Sequence, residues 1–222
     1  MPFGGQRKKM RELILFHGSR EGIKGAIAPI SRERCDFGRG FYMGENRLQT
    51  ASLVADEPEA RVYTLRVSLP DESCILRLEE RDWLYAVLSC RRRVKAFDEL
   101  PAAAQWRQRI DSYDLVAGRI ADDRMNEAMR RFTEFTMTDQ GLYACLSRVQ
   151  YGDQYAAKSA DMCSRITILE EERIDDASFP GLQAYMADRR SENRSVITQE
   201  AIRHQRDGLF LNEMIDRELS GA

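Results

Sequence analysis

The chain has 222 residues, 43% of them hydrophobic and 32% charged, with a formal net charge of -2. That size suits one domain, perhaps with a small appendage, and buries roughly 70% of the unfolded surface, so no metal or disulfide staple is needed. The near-neutral balance speaks against a dedicated nucleic-acid binder. The five cysteines are an odd, irregularly spaced set without a CxxC, and the two histidines cannot build a zinc site of several histidines. The apolar runs fall far short of the ~20 residues that span a bilayer. The start of the chain lacks the apolar core of a secretory signal. Together these features predict a reduced, cytoplasmic protein with no membrane contact and no metal.

Residues 1–11 are polar and basic and are expected to fray. Leu13 to His17 is a short apolar run stopped by Gly18-Ser19, which reads as a buried strand. Residues 20–40 contain Gly22, Gly25, Gly38, Gly40 and Pro29. Ordered loops of that length tend to be functional. Phe41-Tyr42-Met43 follows, closed by Gly44. Asn46 is placed to cap a helix from Arg47 to about Ala55. Val62 to Leu69 alternates as a strand, Pro70-Asp71 turns, and Cys74 to Leu78 is a second strand. Glu80 to Arg91 has helical spacing through Trp83, Val87 and Leu88; Arg91-Arg92-Arg93 reads as its solvated, dipole-compatible end.

Residues 95–112 predict further helix, and Leu115 to Gly118 a strand. Asp122 or Asp123 caps a helix with Met125, Ala128, Met129, Phe132 and Phe135 on one face. A helix from Thr138 or Asp139 ends before Gly152, and strands are expected at Gln154 to Ala157 and Ile166 to Leu169. Beyond residue 175 the pattern turns polar, with one helix predicted from Thr198 to Leu219. The organisation expected is an α+β domain over 12–175, with a peripheral helical tail over 176–222.

Three segments carry a likeness: Phe16-His17-Gly18-Ser19, Phe37-Gly38-Arg39-Gly40-Phe41-Tyr42-Met43, and Gly152-Asp153-Gln154-Tyr155. In order and spacing they resemble the ADP-ribosyltransferase superfamily, in the branch of poly(ADP-ribose) polymerases and diphtheria toxin. The runs LILFHGSREGIKG, ISRERCDFGRGFYMG and GRIADDRMN are similar to the bacterial domain-of-unknown-function 3990 family.

The resemblance implies two small mixed or antiparallel sheets split around a cleft, with NAD as co-substrate. It implies that His17 bonds a ribose hydroxyl, that the Gly18 backbone and Ser19 hydroxyl hold the carboxamide, and that Tyr42 faces the nicotinamide ring. A second aromatic wall would come from Phe41 or Tyr155, and Arg39 would meet the pyrophosphate. Gln154 stands where the family carries a glutamate; it can bond a ribose but is no base. Asp122 or Asp123 would lie at the rim and supply a carboxylate or position the acceptor. The function implied is ADP-ribose transfer to a protein or nucleic acid by a bacterial toxin or conflict-system effector with a small antitoxin-like partner. Two alternatives stand beside it. One is an NAD- or ADP-ribose-binding module without transfer, motivated by Gln154. The other is an interaction component recruiting a partner through Ile202, Leu209, Leu211, Met214 and Ile215.

Overall fold

The apolar run at Leu13 forms the middle of strand β1 (Arg11–Ser19). In this computed structural model, which describes residues 11–69, 75–120, 123–148 and 152–221, every residue of β1 pairs antiparallel with β3 (Arg61–Leu69). On its other side β3 pairs with β7 (Ile166–Arg173), the register shifting between Thr64 and Leu65. These three strands make one half of the sheet. The other half consists of β2 (Phe41–Gly44), β6 (Asp153–Ala157), β5 (Leu115–Arg119) and β4 (Ile75–Leu78). Of these, β4 and β5 run parallel. A parallel pair needs a crossover, here through helices α2 (Glu80–Arg91), α3 (Lys95–Asp98) and α4 (Pro101–Asp111).

The strand order is β4-β5-β6-β2-β1-β3-β7. The two halves are one sheet in connectivity, yet β1 and β2 share a single register pair, Phe16↔Gly44. The expected split into two small sheets thus takes the form of a seven-stranded mixed sheet parted along β1 and β2. Side-chain alternation sorts the layers. Leu15, Tyr63 and Leu65 from one half and Phe41, Leu115 and Tyr155 from the other share one buried cluster, so the two inward faces pack on each other.

The outward face of the four-stranded half is covered by α2, α5 (Asp123–Thr133) and α6 (Asp139–Arg148), with Trp83, Phe132 and Leu142 fully buried. The Trp83 indole N–H donates to the Arg119 carbonyl at 2.8 Å, locking α2 to β5. The other half is covered by α1 (Arg47–Ser52) and by Phe179, Leu182 and Met186. Asn46 caps α1, its side chain accepting from Gln49 N at 3.0 Å. Helix α7 (Ala160–Ser164), which the pattern did not suggest, is capped by Ser159, whose side chain accepts from Met162 N, and seats Met162 in the inner layer.

The C-terminal segment departs from expectation. In place of one helix there are two, α8 (Leu182–Arg203) and α9 (Leu211–Ser220). Nor do they lie at the periphery: Ile197, Ala201, Leu211, Met214 and Ile215 are buried with the helices of the main body. Of the apolar residues proposed to recruit a partner, Ile202 is the one left largely exposed. The break between α8 and α9 is stitched to the start of α6. Asp139 accepts from Leu209 N through its side chain and donates its own N–H to Leu209 O, while Thr138 donates to His204 O. Gly208 makes the turn at φ 80°; a Cβ there would lie 2.2 Å from Asp139 Oδ1. No helix among the described residues is long and apolar enough to cross a membrane.

Candidate functional site

The parting of β1 from β2 decides the site. Carried two residues past Phe16↔Gly44, the same register would set Gly18 against Tyr42. The ladder stops instead, and the His17 side chain crosses the gap: Nδ1 lies 2.7 Å from the Tyr42 carbonyl oxygen. A carbonyl only accepts, so Nδ1 carries the proton and Nε2 offers a lone pair. Burial lowers the His17 pKa below its usual value, which the bond to Tyr42 only partly offsets, so the ring stays neutral. The imidazole stacks on Phe41 at 4.3 Å between centroids and lies 6.3 Å from Tyr63. The result is an oriented hydrogen-bond acceptor backed by aromatic rings.

Beside it opens a cavity of about 350 Å3 lined by His17, Ser19, Phe41, Tyr42 and residues of the 21–31 loop, including Ile23, Ile27 and Ser31. That volume falls within the ~300–1,000 Å3 of small-molecule pockets, and the apolar lining with a few polar groups has their usual make-up. The loop is pinned where Ile23 N donates to the Tyr63 hydroxyl at 2.9 Å. Among the described residues the carboxylate lining the cavity is Glu21, whose pKa is lowered by its bond to Lys24.

Tyr42 has two faces to its role. The residue lines the cavity, but its ring packs with the helix-covered cluster, 6.5 Å from Phe37 between centroids, rather than facing His17 as a nicotinamide platform would. Its hydroxyl donates to Gly38 O at 2.7 Å and accepts from Phe37 N at 3.0 Å. Burial, helped by the nearby Asp36 charge, pushes the phenol well above its usual pKa, so it stays protonated. Tyr42 thereby closes the glycine-framed loop upon itself. Gly18 is explained by packing: a Cβ there would sit 2.8 Å from the Thr50 carbonyl, so glycine lets α1 approach β1.

Gln154 is placed elsewhere. Alternation along β2 and β6 sets Tyr42, Gly44 and Gln154 on the helix-covered face, and Phe41, Met43 and Tyr155 on the inner one. Since His17 stacks on Phe41, the His17 ring and the Gln154 side chain lie on opposite faces of the sheet. Gln154 Nε2 donates to Asp36 Oδ2 at 2.6 Å and to Arg119 O at 3.2 Å. Both neighbours are acceptors, which fixes the amide orientation and leaves Oε1 as an acceptor. Asp36 also takes Arg91, with Nη2 at 2.6 Å and Nε at 2.7 Å.

Three further assignments shift. Arg91 is 8% exposed and ion-paired, not a solvated helix end. Tyr155 is buried in the inner layer, its hydroxyl donating to Glu45 at 2.7 Å, so it forms no wall of the His17 cavity. Its phenol pKa is raised by burial and by that bond. Arg39 pairs with Glu33 at 3.1 Å and borders a different cavity. Asp122 lies outside the described residues, and Asp123 is described only as the first residue of α5. Asp153 faces Arg119 at 3.6 Å, and burial raises its pKa more than the arginine lowers it.

Asp36, Glu45 and Glu21 were passed over in the sequence. Asp36 and Glu45 act through partners 55 to 118 residues away, a separation with no local signature. Arg91 had one: it follows Val87 by one helical turn, on the side of α2 that Trp83 and Val87 bury.

No curated protein and no solved structure matches the chain. A family model, Protein of unknown function (DUF3990), matches residues 13–170. That span runs from β1 into β7 and takes in the His17 cavity, the Tyr42 loop and the Asp36–Gln154 cluster. The chain therefore belongs to the family described as Protein of unknown function (DUF3990).

Proposed function

We propose that the chain binds NAD at the His17 cavity and transfers ADP-ribose to a macromolecular acceptor. The observation that carries the reading is the His17 ring: neutral, stacked on Phe41, and held so that Nε2 is an acceptor at the mouth of the parted sheet. The reaction exchanges the bond from ribose C1′ to the nicotinamide nitrogen for a bond to an acceptor nucleophile; the bonding pair leaves with nicotinamide and the acceptor's proton passes to solvent. His17 Nε2 accepts from a ribose hydroxyl and orients the sugar. The Ser19 hydroxyl supplies a polar contact for the carboxamide, and the aromatic backing excludes water from the reacting side.

In this reading Gln154 is a positioning residue. Its bond to Asp36 ties the loop before Tyr42 to β6, and so holds the cavity wall in shape. The same placement favours a second reading, a binding module without transfer, because the amide is committed to Asp36 and Arg119.

The test is calorimetric titration with NAD alongside chromatographic assay of released nicotinamide. Saturable binding that weakens about tenfold in His17→Ala, the worth of one good hydrogen bond to a buried group, with nicotinamide release, supports the transferase. The same binding without release, even with cell extract as acceptor source, favours the module. Absence of binding at millimolar NAD refutes both.

A further inference from the structure

The loop that walls the His17 cavity has a second cavity on its other side. Ser31 and Gly40 border the first; Arg34, Gly38 and Arg39 border the second, which measures about 450 Å3. Four guanidinium-bearing residues line it, Arg34, Arg39, Arg92 and Arg107, against two carboxylates, Glu33 and Asp111. This excess of positive charge occurs in a chain whose formal net charge is -2.

The carboxylates are already engaged: Glu33 holds Arg39, and Asp111 lies 3.1 Å from the buried Lys158 ammonium, which itself donates to Phe37 O. Arg107 is held by Asp98 at 2.5 Å. Among the described residues Arg34 and Arg92 form no ion pair. Both are exposed, and both border the cavity.

The backbone of Arg92 is a second, separate observation. It caps α2 in the left-handed conformation, φ 50° and ψ 40°, with its N–H on Leu88 O. That is the position a glycine ordinarily takes, because a Cβ strains it. An arginine there keeps the strain and places a guanidinium at the cavity. The thiol in the lining, Cys90, is pushed by burial up to about 12 and stays protonated, so the cavity offers charge without a nucleophile.

We propose that this cavity is an anion site that takes the phosphate groups of a nucleotide-sized ligand, gripped by Arg34 and Arg92. Planar guanidinium groups match phosphate oxygens in paired hydrogen bonds. The volume is far larger than an inorganic phosphate needs and lies within the range of small-molecule sites. The ligand is either the diphosphate portion of the dinucleotide proposed above or a separate phosphate-bearing molecule, and the site itself does not depend on the NAD reading.

The probes are inorganic pyrophosphate and ADP, titrated calorimetrically into the full chain at low ionic strength. Saturable binding is expected, weakening with added salt, and falling about tenfold or more in Arg34→Ala and in Arg92→Gly. Arg92→Gly also relieves the strained cap, so its melting temperature should equal or exceed that of the unsubstituted protein, which separates lost binding from lost fold. Absence of saturable binding to either probe, or binding unchanged in both variants, overturns the proposal. NAD titrated into pyrophosphate-saturated protein then identifies the source. Weakened NAD binding places its diphosphate here; unchanged binding assigns a separate ligand. A chain that binds pyrophosphate but not NAD keeps this site and loses the reading of the His17 cavity.

Discussion

Removing the Asp36 carboxylate should cost the protein a large share of its stability, because two groups depend on it. Its oxygens lie 2.6 Å from Arg91 Nη2 and 2.6 Å from Gln154 Nε2, with the Arg91 and Asp36 side chains 9% and 13% exposed. Breaking a buried ion pair from one side costs about 3–5 kcal/mol, since the remaining charge is left desolvated. Arg91 retains other contacts, and Gln154 keeps its bond to Arg119 O, so the low end applies. For Asp36→Ala we expect a loss of about 3 kcal/mol, or about 6–12 °C in melting temperature for a chain of this size. Arg91→Met should cost a similar amount by stranding the carboxylate. In the double variant neither charge remains, and an apolar replacement of a buried pair is often close to neutral. The double loss should therefore fall short of the sum of the single losses by at least about 1 kcal/mol. Urea denaturation followed by circular dichroism at constant m-value measures all three. Additivity within about 0.5 kcal/mol would refute the argument that these side chains act as one buried unit.

Three further outcomes are expected. Gly18→Ala forces a Cβ to within 2.8 Å of a backbone carbonyl that cannot yield cheaply, and should cost about 1–3 kcal/mol in denaturation together with loss of NAD binding; full stability would show that α1 can retreat from β1. The His17 pKa is lower folded than unfolded. The unfolded chain therefore takes up the proton first, and His17's contribution is complete above the usual 6.5 and lost as pH falls below it toward the folded value. Denaturation between pH 7.5 and 5 should show stability declining with a slope no steeper than about 1.4 kcal/mol per pH unit from this group, and His17→Gln should remove that part of the decline. Gln154→Glu puts a second carboxylate against Asp36 and should lower the melting temperature without raising nicotinamide release. A rise in release would mean that the side chain at 154 reaches the reacting ribose, contrary to its place on the helix-covered face.

Much of the secondary structure could be read locally. The β-branched alternation of Val62 to Leu69, the Asn46 cap and the Trp83-Val87-Leu88 spacing each fix an element within a few residues of itself. What escaped was decided at a distance. Arg91 belonged by spacing to the inward side of α2, yet its two arginine neighbours made it look solvated. Alternation does set Tyr155 on the inner face with Phe41, but it is buried within that layer with its hydroxyl on Glu45, a partner 110 residues away that leaves it short of the cavity. The C-terminal segment looks polar because its apolar residues are spaced widely along two helices, and those that are buried, such as Ile197, Leu211 and Met214, belong to the same core cluster as helices far upstream. The likeness around His17 and Tyr42 gathered residues that do line one cavity, while Gln154 and Arg39 fell to the other side of the sheet and of the loop.

The strand order also has a bearing on solubility. An open sheet offers unpaired backbone along its two outermost strands, and a long apolar one invites a second chain to add to it. Here one border is β4, four residues long. The other is β7, whose second half runs Glu170-Glu171-Glu172-Arg173, with Glu171 bound to Arg61 and Glu172 to Arg47. A strand arriving at that border would have to approach three carboxylates, two of them already placed by their arginines and the third by the Thr64 hydroxyl. Neutralising Glu170, Glu171 and Glu172 together would leave Ile168 and Leu169, both partly exposed, at the head of an unguarded ladder, and would turn a border that repels its own kind into one that recruits it.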